Sequence, residues 1–131
     1  MAERRPLPLA AKIHAGGTFL AAVGVASEYA VGVPGFPTIP PGPIILAVCG
    51  ILVVTLMARL KWMIIVGLAG PVFLTVGGAM EGSGFDRLAD PAHVAFFIST
   101  ALQWAGLAVS LVFGIAALLQ VLRTAPSRAA A

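Results

Sequence analysis

This sequence is poor in charge. Only 10% of its 131 residues are Asp, Glu, Lys or Arg, while 60% are hydrophobic; ordinary soluble domains run at about 25% and about 45–50%. A water-soluble fold this short leaves about a third of its chain's surface in water and here has too few polar side chains to cover it. Scarcity of polar residues also excludes disorder. The eight Lys and Arg are scattered rather than gathered on one face, which excludes a nucleic-acid module. One cysteine, Cys49, excludes an internal disulfide and any multi-cysteine metal site.

Catalytic motifs are missing as well. There is no glycine-rich phosphate loop, nucleophile elbow, zinc-protease helix or pair of intramembrane aspartates. Ser27, Ser99 and Ser110 have no base at matching depth. His14 and His93 fall near opposite ends of their spans, roughly 25 Å apart, so they do not serve as the two axial ligands of one haem. No cofactor and no metal site is expected, and an enzyme is the less favoured expectation.

What is present is a set of long apolar runs. A helix needs about 20 mostly apolar residues to cross a hydrocarbon core of about 30 Å. Four segments qualify: Leu9–Val33, Pro43–Leu60, Trp62–Met80 and Pro91–Leu122. The reading is an all-α, integral membrane four-helix bundle forming a single domain over residues 1–131. VPGFPTIPPGP, Arg59-Leu60-Lys61 and EGSGFDRLAD separate the spans. The last segment would make about 48 Å of helix, read as one tilted span projecting from the bilayer at its Asp90 end. Asp90 followed by Pro91 reads as its N-cap and first residue. Pro71 predicts a kink in the third helix. Val25-Ala26-Ser27 resembles a signal-peptide cleavage site, but the apolar run continues past Glu28, and the segment is read as a retained span.

Basic residues set the orientation. With the N-terminus in the cytoplasm, Arg4, Arg5, Lys12, Arg59, Lys61, Arg123 and Arg128 fall inside and Arg87 alone falls outside. Glu28, Glu81, Asp86 and Asp90 take the outer side and Glu3 the inner. The expected location is the cell membrane, with both termini cytoplasmic.

The two halves echo each other weakly. Ala15-Gly16 and Phe19-Leu20 recur as Ala69-Gly70 and Phe73-Leu74, Gly35-Phe36 with Ile39 as Gly84-Phe85 with Leu88, and Gly50 with Arg59 as Gly114 with Arg123. With gaps, the pattern matches two duplicated helical hairpins arranged as parallel repeats.

Helices in lipid pair through small and polar residues rather than hydrophobicity. His14, Gly17, Ala21, Gly24 and Glu28 form one such stripe. Gly67, Gly70, Leu74, Gly77 and Glu81 form a second, and Thr100, Gln103, Leu107, Ser110, Gly114 and Ala117 a third. Interhelical packing accounts for most of these positions. Glu28 needs more explanation, because an unpaired carboxylate is costly one turn inside a span. It is met by protonation, by Gln103 or the Trp104 indole, by Arg87 folding back from the loop, or by an external cation. Glu81, Asp86, Arg87, Asp90 and His93 crowd the second outer loop, but their spacing matches no compact metal motif.

The first functional expectation is a protein that works by association, as an accessory subunit or with copies of itself, since three helices carry small-residue seams. Its partners are then the lipid bilayer and other membrane subunits. The alternative is a small carrier with Glu28 as coupling carboxylate and Thr100, Gln103 and Trp104 lining the path. A lipid- or quinone-handling enzyme is the third.

Overall fold

The computed structural model describes residues 6–34 and 41–130, with side chains through Arg123. Glu3, Arg4, Arg5, the Gly35-Phe36 and Ile39 part of the internal echo, and the Arg128 side chain lie outside the described residues. The elements are α1 (Leu9–Ala30), α2 (Pro41–Leu56), α3 (Met63–Glu81), α4 (Ser83–Leu88) and α5 (Val94–Ala130). Among the described residues there is no strand.

Three helices are long and apolar enough to cross a membrane: α1, α3 and the Val94–Arg123 part of α5. The fourth, α2, has 16 residues, about 24 Å of helix, and ends at Leu56 rather than Leu60. Proline at 41 and 43 is tolerated because both sit in its first turn, where backbone N–H groups have no intrahelical partner. Large hydrophobic side chains face outward on every long helix, among them Val23, Ile51, Phe73 and Val112, each at least half exposed. A soluble monomer does not present such a surface; these helices are those of a multi-pass membrane protein.

Helix ends depart from the sequence reading for local reasons. The first helix stops at Ala30 rather than Val33, because Gly32 takes the left-handed conformation (φ 82°). The Val33 N–H then bonds the Glu28 carbonyl at 3.0 Å and the Gly32 N–H bonds that of Tyr29 at 3.2 Å, a Schellman termination. Gly82 (φ 83°) ends α3 in the same region of backbone space. EGSGFDRLAD, expected as a loop, contains α4. The Asp90–Pro91 cap does not form. Asp90 instead closes a turn, its carboxylate 2.7 Å from His93 Nδ1, and α5 begins at Val94. The surplus length of α5 therefore lies at its C-terminal end, not at Asp90. Through Pro71, α3 runs unbroken.

The long helices pack in the ring α1–α2–α3–α5, with α1 and α5 antiparallel and the most extensively paired. Two apolar clusters fill the ring. One joins Ala11, Ala15, Val53, Met57, Ile64, Leu68 and Ala117. The other joins Ala21, Ala22, Val25, Leu46 and Leu107 toward the end where Glu28 lies.

Candidate functional site

The α1–α5 seam positions the two buried polar clusters of the molecule. A Cβ on Gly17 would lie 2.7 Å from the Ser110 backbone nitrogen, and one on Gly24 would overlap the backbone of Gln103. From the other side, a Cβ on Gly106 would strike the backbone of Ala21 and Gly17. Main chains are thus in direct contact along this stretch, which only residues without a side chain, or Ala21, permit. Gly106 did not stand out in the sequence because it lies off the stripe read for that helix.

Above this contact, Glu28 is almost fully buried, 1% exposed. Three neighbours meet its carboxylate. The Gln103 amide nitrogen, in the orientation that gives both ends of the carboxamide a partner, donates to Glu28 Oε1 at 2.6 Å. The buried Thr100 hydroxyl also faces the carboxylate. Arg87, carried on α4, places Nη2 3.7 Å from Glu28 Oε2, an ion pair too long to be a hydrogen bond. Its other nitrogens are fixed: Nε donates to Thr100 Oγ1 at 2.9 Å and Nη1 to Ser83 Oγ at 3.0 Å. The Ser83 hydroxyl donates in turn to Glu81 Oε2 at 2.5 Å, and its N–H to the same oxygen at 3.1 Å.

These groups border a cleft of about 250 Å³ whose lining includes Glu28, Glu81, Ser83, Arg87, Gln103 and Trp104, with Leu74, Gly77 and Gly78 of α3 opposite. Gly77, read from sequence as a packing position, has open space beside it. Trp104 stacks on Phe85 at 5.3 Å between ring centroids, and its indole Nε1 is buried with no hydrogen-bond partner. His93 is not brought into this cleft. It lies with Asp86, Asp90 and Phe96 around a separate hollow that Arg87 also borders. Among the described residues no group of three or more His, Cys, Asp and Glu gathers to hold a metal.

Below the contact lies a second polar cluster, closed on all sides. His14 Nδ1 donates to the Ser110 carbonyl at 2.7 Å. Thr18 donates its one hydroxyl proton to the His14 carbonyl at 2.8 Å, so the Ser110 hydroxyl donates to Thr18 Oγ1 at 2.7 Å. The imidazole fits because its neighbours are glycines. A Cβ on Gly67 would lie 3.0 Å from Nε2, and one on Gly114 2.6 Å from Nδ1. Nε2 has no hydrogen-bond partner among the described residues. Gly70 packs on Cys49 of α2, where a Cβ would lie 2.7 Å from Sγ.

Thr18 and Ser83, which complete the two networks, were missed in the sequence. A threonine inside an apolar run and a serine between glycines carry no signal until their partners are known. Chemically, the outer cleft offers two carboxylates, one guanidinium, one indole donor without a partner among the described residues and the Ser83 hydroxyl, which is held by Glu81. Comparison with family models, with curated proteins and with solved structures gives no match.

Proposed function

We propose that this chain is a four-span protein of the cell membrane, both termini cytoplasmic, whose outward-facing cleft binds a small cationic solute through Glu28 and Glu81. The topology rests on charge: Lys12, Arg59, Lys61 and Arg123 lie at one end of the bundle and Glu28, Glu81, Asp86 and Asp90 at the other. The 16 residues of α2 cross with local thinning of the bilayer, a modest cost. Cysteines placed at Ala92 and Ser127 test this; the first is expected to label from outside and the second from inside, native Cys49 being buried. The opposite pattern would refute the orientation.

The observation that carries the binding reading is a carboxylate buried at the wall of an open cleft, with its cationic partner 3.7 Å away rather than in hydrogen-bond contact. A buried charge is held at high cost unless paired and hydrogen-bonded, and this pairing is incomplete. Two acids against one base favour a cation, and the Trp104 ring beside them adds a face that attracts one. At about 250 Å³ the cleft is smaller than the 300–1,000 Å³ typical of drug-sized ligands, so the solute is small.

Association, the first expectation from sequence, loses its main support, because Gly17, Gly24, Gly67, Gly70 and Gly114 are all occupied within the chain. The main-chain contact at Gly24 and Gly106 also closes the cleft toward the inner half, which favours binding from one side over a continuous path. Tryptophan fluorescence tests the reading. In a Trp62→Phe background Trp104 is the one remaining reporter, and titration with tetramethylammonium chloride is expected to give a saturable change. Glu28→Gln is expected to weaken it at least about tenfold, the equivalent of 1.4 kcal/mol. An unaltered response in that variant, or an equal response to uncharged tert-butanol, would sink the proposal.

A further inference from the structure

The opposite end of the bundle holds another cavity of about 250 Å³, where the start of α1, the α2–α3 corner and α5 meet. Its lining is amphipathic: Leu7, Met57 and Val121 are apolar, Lys61 and Gln120 polar. Among the described residues, charge around it has one sign. Lys12, Arg59, Lys61 and Arg123 are at this end, and no described acid is. Lys61 has no ion pair among the described residues. Its neighbour Trp62 is 54% exposed, as expected of an aromatic anchored at the headgroup level.

We propose that this cavity binds an anionic phospholipid of the inner leaflet, its phosphate meeting Lys61 and an acyl chain lying along Leu7, Met57 and Val121. The inference rests on the membrane orientation given above and is independent of the outer cleft. Its occupant is fixed by complementarity. An ammonium without an acid partner on the wall of an apolar hollow fits a molecule that is anionic at one end and aliphatic at the other, and the bilayer supplies such molecules at this depth. Clustered basic residues on the cytoplasmic side attract anionic headgroups by about 1 kcal/mol per residue, or about fivefold in affinity. A zwitterionic headgroup gains little, since its own ammonium opposes the field.

Native mass spectrometry of the full chain in mild detergent, with dioleoyl phosphatidylglycerol or dioleoyl phosphatidylcholine added, tests this. Phosphatidylglycerol is expected to be retained preferentially. Lys61→Gln is expected to cut its retention about fivefold, and Lys61→Arg to keep it. Arg59→Gln, at an exposed site that does not line the cavity, is expected to change it little. Three results overturn the proposal: equal retention of the two lipids, an unchanged result in Lys61→Gln, or equal losses in Lys61→Gln and Arg59→Gln, which would mean diffuse surface charge. Displacement of the lipid by inorganic phosphate as readily as by phosphatidylglycerol would reassign the cavity to a soluble phosphate. A matching unfolding midpoint for Lys61→Gln and the unsubstituted protein establishes that the change in retention is local.

Discussion

One helix pair carries two buried polar clusters, about 20 Å apart along α1, and they differ in everything but burial. His14 is 0% exposed and Glu28 1%. Around His14 the hydroxyls of Thr18 and Ser110 and imidazole Nδ1 close on one another, Nε2 alone is left over, and glycines of α3 and α5 close the space. Around Glu28 a carboxyl group faces a guanidinium, the ion pair is loose, an indole N–H is unused, and a cleft opens on the α3 side. A ranking of residues by burial would not separate the two. Access and the loose ion pair do, which is why binding is proposed at Glu28 and structural work at His14.

The contact between them gives the largest effect by which this comparison can be broken. Gly24→Leu drives a side chain into the Gln103 backbone, which cannot move aside as a flexible side chain would. A loss of about 3 kcal/mol or more is expected, read as a lowered unfolding midpoint in detergent. Gly16→Leu, facing open space on the next residue but one from the seam's Thr18, is the control and is expected to be near neutral. Equal effects would mean that the two helices are not in main-chain contact.

A smaller effect is expected at His14. His14→Ala leaves a hole and strips the Ser110 carbonyl of its donor, costing about 2–3 kcal/mol, yet tetramethylammonium binding at the outer cleft should persist. Loss of binding with stability intact would reverse the roles assigned to the two clusters. Glu28→Gln is expected to be the mildest of the three in stability, within about 1 kcal/mol. Removing one member of a buried pair ordinarily costs 3–5 kcal/mol. Here Arg87 is 15% exposed and held by Thr100 and Ser83, and removal of the buried charge relieves its own desolvation. Binding rather than folding is where that substitution should register.

The sequence announced the long helices plainly because length and apolarity are local properties. It announced Glu28 too, since an acid inside an apolar run stands out, and Gln103 and Arg87 were among the partners it suggested, whereas the Trp104 indole it also suggested makes no hydrogen bond among the described residues. It did not announce α4. Six residues are too few to nucleate a helix alone, and this one forms between the left-handed Gly82 and the tether from Arg87 to Thr100. Nor did it give the true start of α5, because whether Asp90 caps a helix or holds His93 depends on which neighbour reaches its carboxylate first. The glycine stripes were visible, but not their assignments. That Gly67 and Gly114 make room for an imidazole, while Gly77 opens onto the cleft, depends on the rotation of each helix in the ring.

Because α1 and α5 touch main chain to main chain, they have no slack between them and must travel as one stiff beam. Any shape change that admits or releases a solute therefore belongs to the other wall. There α3 and α4 meet at a glycine corner, and the Phe85–Trp104 stack and one arginine, Arg87, fasten α4 to the beam. Competition for that arginine's partner would loosen the fastening, so occupancy of the cleft and the position of α4 are mechanically linked.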